Sequence, residues 1–392
     1  MILFFAVLSL AAWLYLLLFR GGYWRCAERL ETRRDDAASP RPAPPRVVAV
    51  IPARNEADSI ARVVAAHLKS DLPGGYPIML VDDGSTDGTA DLARATAANA
   101  PGRLTVIDGA PLRQGWTGKL WAMRQGIEAA RTHDPDYLLF CDADIEFAPE
   151  TVSRLTLKAA SDGLDLVSLM ALLDARGAWG GLLAPAFVYF FQKLYPFAFA
   201  NDPFNNVAAA AGGCMLARAD AVDAIGGVDA FKDALIDDCA LARAIKDRDA
   251  DARIWIGLAD DEAVSLRDNR SLSSIWNMVA RTAFAQLNFS PMLLVGALLG
   301  MALLYIAPPL IALGLFAHGD VAASLIALGA WGVMAATFWP MLKLYRQQPW
   351  QSTLLPIAGA LYTAMTFASA LRHWRGAGGQ WKGRTYDPAN TL

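Results

Sequence analysis

The chain has 392 residues, 55% of them hydrophobic and only 19% charged, where a soluble protein of this length carries about a quarter. A net charge of −3 gives no whole-chain signature of nucleic-acid binding, and no nucleic-acid partner is expected. The four cysteines (Cys26, Cys141, Cys214, Cys239) are scattered, without a C-x-x-C or a nearby His, which argues against a zinc or disulfide framework.

The apolar excess collects at the two ends. Ile2 to Phe19 is an uncharged run close to the minimum that crosses a hydrocarbon core. A cleaved leader is the competing reading, but no Lys or Arg precedes the run and no small-x-small site closes it. Arg20, Arg25, Arg29, Arg33 and Arg34 follow it instead. Residues 1–20 are therefore expected to be a membrane anchor with its start outside and the rest of the chain cytoplasmic, at a bacterial inner membrane. Residues 21–45 read as a basic, Pro-rich linker ending in Asp35–Pro45.

Residues 46–285 read as one domain. Val47–Ile51, Ile78–Val81, Leu104–Ile107, Tyr137–Cys141 and Leu164–Leu169 have the composition of buried strands. Helical patterns fall around Asp58–Lys69, Gly88–Asn99, Lys119–Arg131 and Pro149–Ser161. This alternation predicts an α/β fold with a mainly parallel sheet, whose ligands bind beyond the carboxyl ends of the strands. The first strand runs into Pro52-Ala53-Arg54-Asn55-Glu56, and the second into Asp82-Asp83-Gly84-Ser85-Thr86-Asp87-Gly88. That turn lacks the spacing and distal Glu of a calcium loop, and no G-x-G-x-x-G follows the first strand. Gly118-Lys119 lacks the glycine and hydroxyl residue of a P-loop. The fourth strand ends in Asp142-Ala143-Asp144, and hard oxygens at i and i+2 suit Mg²⁺ or Mn²⁺.

Further along, the aromatic run Trp179–Ala200 is interrupted by Gln192 and Lys193 and reads as an interfacial helix with a snorkelling Lys; a buried core helix is the alternative. Pro291–Phe316, Val321–Leu342 and Leu354–Leu371 are uncharged runs, so 286–372 is expected to hold two or three membrane helices and 373–392 a basic tail. Pro308-Pro309 should kink or interrupt the first of them. Three full crossings would put the tail outside, whereas Arg372, Arg375, Lys382 and Arg384 argue for inside. Either Leu354–Leu371 dips in and returns, or the charge rule fails here. No Asp, Glu, Lys or Arg interrupts these runs, which disfavours a transporter.

In order, P-A-R-N-E, V-D-D-G-S-T-D-G-T and a strand ending D-A-D resemble the family 2 glycosyltransferases with the GT-A (Rossmann-like) fold. Gly212-Gly213-Cys214-Met215-Leu216 resembles that family's acceptor-side glycine pair, and Ile236-Asp237-Asp238 its acidic pair. The resemblance covers Val47 to Ala285. It implies that Pro52, Ala53, Arg54, Glu56, Asp82 and Asp83 line the nucleotide, and that Asp142 approaches the donor ribose or the metal. It also implies that Asp144 holds the metal, that Asp237 lies on the acceptor side, and that Asp238 is the catalytic base. Lys119 would meet donor phosphates, with a solvated surface Lys as the alternative. The polymerising members carry Q-x-x-R-W; in Met278-Val279-Ala280-Arg281-Thr282 only the Arg remains, so Arg281 would still reach the pyrophosphate or else be a helix-surface residue. That loss points to transfer of a single sugar. The layout, with its closing G-G-Q-W-K-G-R-T-Y, further resembles the membrane glycosyltransferases associated with hopanoid biosynthesis. The implied reaction is inverting, metal-dependent transfer from a nucleotide-sugar, a UDP-sugar by expectation, to a membrane lipid. A polyprenyl-phosphate or ceramide-type acceptor is the alternative, and a catalytically silent scaffold the remote one.

Overall fold

A computed structural model describes residues 1–31, 45–376, 380–381 and 384–385. Residues 32–44 of the expected 21–45 linker and most of the expected basic tail lie outside the described residues. The chain forms two compact units. An α/β unit comprises mainly Glu28–Leu173 and Phe199–Arg267, and an apolar unit comprises Met1–Ala27, Asp174–Ala198 and Asp268–Gln380. Residues 174–198 and 268–285, placed in the central domain on sequence, thus cluster with the apolar helices.

The α/β unit is built on strands β1 (Val47–Ala53), β2 (Ile78–Asp82), β3 (Leu104–Asp108), β4 (Tyr137–Cys141), β5 (Ile145–Phe147), β6 (Leu166–Met170), β7 (Cys214–Arg218), β8 (Ile254–Leu258) and β9 (Ala263–Ser265). Seven of them form one sheet in the order β3-β2-β1-β4-β7-β6-β8. Neighbours pair in parallel except at β7, which runs antiparallel to both β4 and β6. β5 and β9 form a separate antiparallel pair beside the main sheet. All seven residues of β1 are buried, as expected of a strand covered on both faces. Its alternation divides the core: Val47, Ala49 and Ile51 pack with Val63, Val64 and Leu155 on one side, and Val48 and Val50 pack with Leu120, Met123 and Ile127 on the other. Gly126 lets the Gly118–Ala130 helix lie close on the sheet, since a Cβ there would stand 2.4 Å from Val50 Cγ1.

In the apolar unit, Ile2–Phe19, Pro291–Leu313, Val321–Leu344 and Pro349–Trp374 are long and apolar enough to cross a membrane. Pro308-Pro309 does not interrupt its helix. The chain widens into a π-helical turn over Ala302–Ile306 and continues helical from Ala307. Pro308 has no N–H for the carbonyl four residues earlier, and Trp13 Nε1 donates to that Leu304 oxygen at 2.9 Å instead. The Gly177–Leu194 helix buries Leu183, Ala184, Val188, Tyr189 and Gln192. Lys193 does not snorkel away from this unit: its ammonium donates to Tyr305 Oη at 2.7 Å.

Candidate active site

Parallel β2, β1 and β4 bring their carboxyl ends to one edge of the sheet, and the reversed β7 brings its amino end to the same edge. Beyond β1, Asn55 takes a left-handed backbone (φ 51°), which Asn tolerates better than most residues. The turn after β1 is then laced to the one after β2. Asn55 N–H donates to Ser85 Oγ at 2.9 Å, Thr86 N–H to Asn55 Oδ1 at 2.9 Å, and Glu56 N–H to Thr89 Oγ1 at 2.8 Å. Asp82 Oδ1 accepts from Ser85 N–H at 3.2 Å. Asp83 is 3% exposed. Arg54 donates to the Asp83 carbonyl and lies 3.5 Å from its carboxylate. Ser59 Oγ donates to the Ala143 carbonyl at 2.9 Å, tying this half of the edge to the D-A-D turn.

The second half forms around β4. Cys141 pairs directly opposite Cys214, so Asp142, the residue after β4, lies across from Gly213, the residue before β7. Lys119 opens the Gly118–Ala130 helix, which Thr117 caps by accepting from Leu120 N–H. Its ammonium lies 2.8 Å from Asp142 Oδ1 and 2.9 Å from Asp237 Oδ2. Asp237 and Asp238 open the Asp237–Lys246 helix, where backbone N–H groups and the helix dipole favour acidic side chains. Asp238 Oδ2 accepts from Gly212 N–H at 2.9 Å, and Oδ1 from Cys239 N–H at 2.7 Å. Gly212 is a place of close approach: a Cβ would stand 3.2 Å from Lys119 Nζ and 3.5 Å from Asp238 Oδ2.

The electrostatics follow from this crowding. Burial, then the adjacent Asp237 charge, push the Asp238 carboxyl up to about 6, while Lys119 and the two N–H donors oppose the rise. Burial alone would depress Lys119, but the Asp142 and Asp237 carboxylates outweigh it and hold the ammonium well above the ordinary lysine value. One cation thus links a carboxylate of the D-A-D turn to the acidic pair, from three distant stretches of chain.

Much of this sheet lies in a stretch that is similar to known proteins. Residues 48–226 match the description of glycosyl transferase family 2. That stretch resembles the family 2 glycosyltransferases. An undecaprenyl-phosphate 4-deoxy-4-formamido-L-arabinose transferase of Aeromonas hydrophila is 36% identical over 128 residues, which are 32% of this chain and 36% of that protein. A polyprenol monophosphomannose synthase of Mycolicibacterium smegmatis is 34% identical over 146 residues, 36% of this chain and 49% of that one. The chain therefore spans half or less of these relatives' lengths. The mannosyltransferase PcManGT from Pyrobaculum calidifontis, solved in complex with GDP-Man and Mn²⁺, superposes with a TM-score of 0.59 at 20% identity, over 98% of this chain and 100% of that one. At that identity the likeness is one of fold, and the fold is GT-A.

Within the α/β unit, Pro52, Ala53, Arg54, Glu56, Asp82, Asp83, Lys119, Asp142, Asp144, Gly212, Gly213, Asp237 and Asp238 all stand at or just beyond the same sheet edge. Lys119 is no solvated surface residue, at 18% side-chain exposure. Arg281 belongs to the other compact unit, on the Leu272–Thr282 helix. Three residues that organise the edge, Asn55, Ser85 and Thr89, stand inside the sequence motifs but carry no role of their own there. Asn and Ser in turns were a readable signal for such lacing, but which partner each one takes was not. Among the described residues no group of three or more His, Cys, Asp or Glu is placed to hold a metal. The donor set on the D-A-D turn is two carboxylates, Asp142 and Asp144. That set fits Mg²⁺ or Mn²⁺, which bind through one or two carboxylates and complete their shell with water and substrate phosphates.

Proposed function

We propose that the chain transfers a single sugar from a nucleotide-sugar donor to a membrane lipid, with inversion at the anomeric carbon. The observation that carries this reading is Lys119, bridging Asp142 and Asp237 beside the Gly212–Asp238 hydrogen bond. It joins the donor-side carboxylates and the acceptor-side acidic pair into one charged cluster. Arg54 and Asp83 line the nucleotide end of the edge, with Pro52, Ala53, Glu56 and Asp82 around them. Asp142 and Asp144 would hold a divalent ion, which would supply positive charge for the departing diphosphate. The acceptor oxygen attacks the anomeric carbon in line, the bond from that carbon to the diphosphate oxygen breaks, and Asp238 takes the acceptor's proton. Gly212 N–H and Cys239 N–H orient the Asp238 carboxylate for that task.

The acceptor class proposed first is a polyprenyl phosphate. Two partial relatives bear names of undecaprenyl-phosphate and polyprenol-phosphate sugar transferases, and four helices here suit a bilayer. A lipid alcohol, hopanoid or ceramide-like, is the second reading. Asp238 favours it: a hydroxyl has a proton to lose, whereas a phosphate is already ionised near neutral pH. Purified protein in lipid nanodiscs, given Mn²⁺ and labelled UDP- and GDP-sugars, tests both when offered each acceptor in turn, with products read by mass spectrometry. Transfer to neither lipid class would overturn the proposal. Activity on polyprenyl phosphate that survives Asp238→Asn, beside alcohol transfer that does not, would assign the base to the second class alone.

A further inference from the structure

The Asp237–Lys246 helix carries charge at both ends. At its last residue Lys246 turns into the fold, 9% exposed, and its ammonium reaches three carbonyls of one loop. It donates to Ala200 O at 2.7 Å, Asp202 O at 2.8 Å and Val207 O at 2.7 Å, with Phe199 O further away at 3.5 Å. An ammonium has three donors, and a buried one is costly unless they are used. The same loop is tied at Asn201, whose carboxamide pairs with both N–H and C=O of Ile256 on β8 at 2.7 and 3.0 Å. Arg243 donates to its Asn206 carbonyl. Four residues past Val207, Ala211 N–H donates to Ser168 Oγ at 2.8 Å. The next residue is Gly212, whose N–H meets Asp238 at the other end of the same helix. Helix and loop therefore close a ring: Lys246 holds the loop, and the loop delivers the amide to the carboxylate.

We propose that Lys246 is a positioning residue, which sets the Gly212 N–H on Asp238 by pinning the 199–207 loop. This rests on Asp238 being the base of the proposed reaction. A lysine that only filled a gap would matter for stability and leave the chemistry of folded molecules alone.

The test uses full-length protein in nanodiscs. Lys246→Met keeps an unbranched side chain, one atom shorter, and removes the three donors. Expected are a fall in kcat of about tenfold, the scale of one positioned hydrogen bond, an unchanged donor KM, and faster hydrogen exchange at the Gly212 amide. In an Asp238→Asn background the same change should cost less than about twofold, since residues that act through one group are not additive. Arg243→Ala loosens the same loop from its exposed side and should shift Gly212 exchange and kcat in the same directions, so it carries the test if Lys246→Met does not accumulate. Equal losses in both backgrounds, or unchanged kcat and Gly212 exchange, would overturn the inference. Absent transfer by the parent protein would instead sink the proposed function, while Gly212 exchange would still decide whether Lys246 holds the loop.

Discussion

Asp238→Asn separates two consequences of one crowded carboxyl. Burial and the Asp237 charge push Asp238 up to about 6, from an ordinary 3.8. The folded chain therefore holds this proton more tightly than the unfolded chain does. The stability that the neutral form contributes is fully present below about pH 4 and is lost as pH rises through about 6. Two units at about 1.4 kcal/mol each give about 3 kcal/mol as the upper value. An amide cannot ionise and so escapes that loss. Its oxygen keeps only one of the two N–H partners, from Gly212 and Cys239, and giving up the other takes back about 1 kcal/mol. The variant should thus be more stable than the parent by about 1–2 kcal/mol at about pH 8, and no more stable at about pH 4. Turnover on an alcohol acceptor moves the other way, by the ~10²–10⁴-fold that general-base help is worth. In the parent, about nine-tenths of Asp238 is ionised at about pH 7 and about a tenth at about pH 5, so the rate should fall nearly tenfold between them. Denaturant unfolding at both ends of the range and transfer rates across it read these quantities. Near-parent turnover in Asp238→Asn, or a parent rate flat from about pH 8 to 5, would refute Asp238 as the base.

Asp144→Asn should remove the Mn²⁺-dependent part of donor binding measured by calorimetry, as a chelator should for the parent, leaving metal-free binding unchanged. Arg54→Ala leaves the buried Asp83 without its guanidinium; the pair is 3.5 Å apart and Arg54 is 17% exposed, so thermal unfolding should show a loss of about 2 kcal/mol, below the ~3–5 of a fully buried pair. Gly212→Ala sets a methyl 3.2 Å from Lys119 Nζ and 3.5 Å from Asp238 Oδ2. Both are side-chain atoms able to shift, so kcat should drop about tenfold from misplacement, with the melting temperature nearly unchanged. Trp13→Phe strands the Leu304 carbonyl beside Pro308 and should cost about 1–3 kcal/mol in thermal stability, with transfer per folded molecule unchanged.

Five strands of the main sheet were legible as β-branched or apolar runs; in four of them, as at Val47–Val50 and Leu138–Cys141, burial on both faces explains the run, while edge strand β3 is only partly covered. The other two were not. Cys214-Met215-Leu216-Ala217-Arg218 has no β-branched residue, and Ile254-Trp255-Ile256-Gly257-Leu258 is interrupted by a glycine. Both are strands through tertiary pairing, which outweighs local preference. Lys119 shows the same limit at the site. Its position after a Gly-Trp-Thr-Gly turn suggested phosphate contact, but its two carboxylate partners lie 23 and 118 residues further on, and no local pattern announces them. The Gly177–Leu194 helix was ambiguous for a different reason: aromatic content suits an interface and a core alike, and only burial distinguishes them.

The reversal of β7 could nonetheless have been argued from chemistry. Groups that act together in a sheet of this kind gather at one edge, so where a motif sits relative to its strand reports the strand's direction. Asp142-Ala143-Asp144 follows β4, and a parallel strand carries such residues at its carboxyl end. Gly212-Gly213 precedes β7. Were β7 parallel to β4, its amino end would lie at the opposite edge, a strand's length of about 17 Å away, and Gly212 could not meet both Asp238 and Lys119. Only an antiparallel β7 reconciles glycines before the strand with carboxylates after its neighbour, and the Cys141–Cys214 pairing is that reconciliation in register.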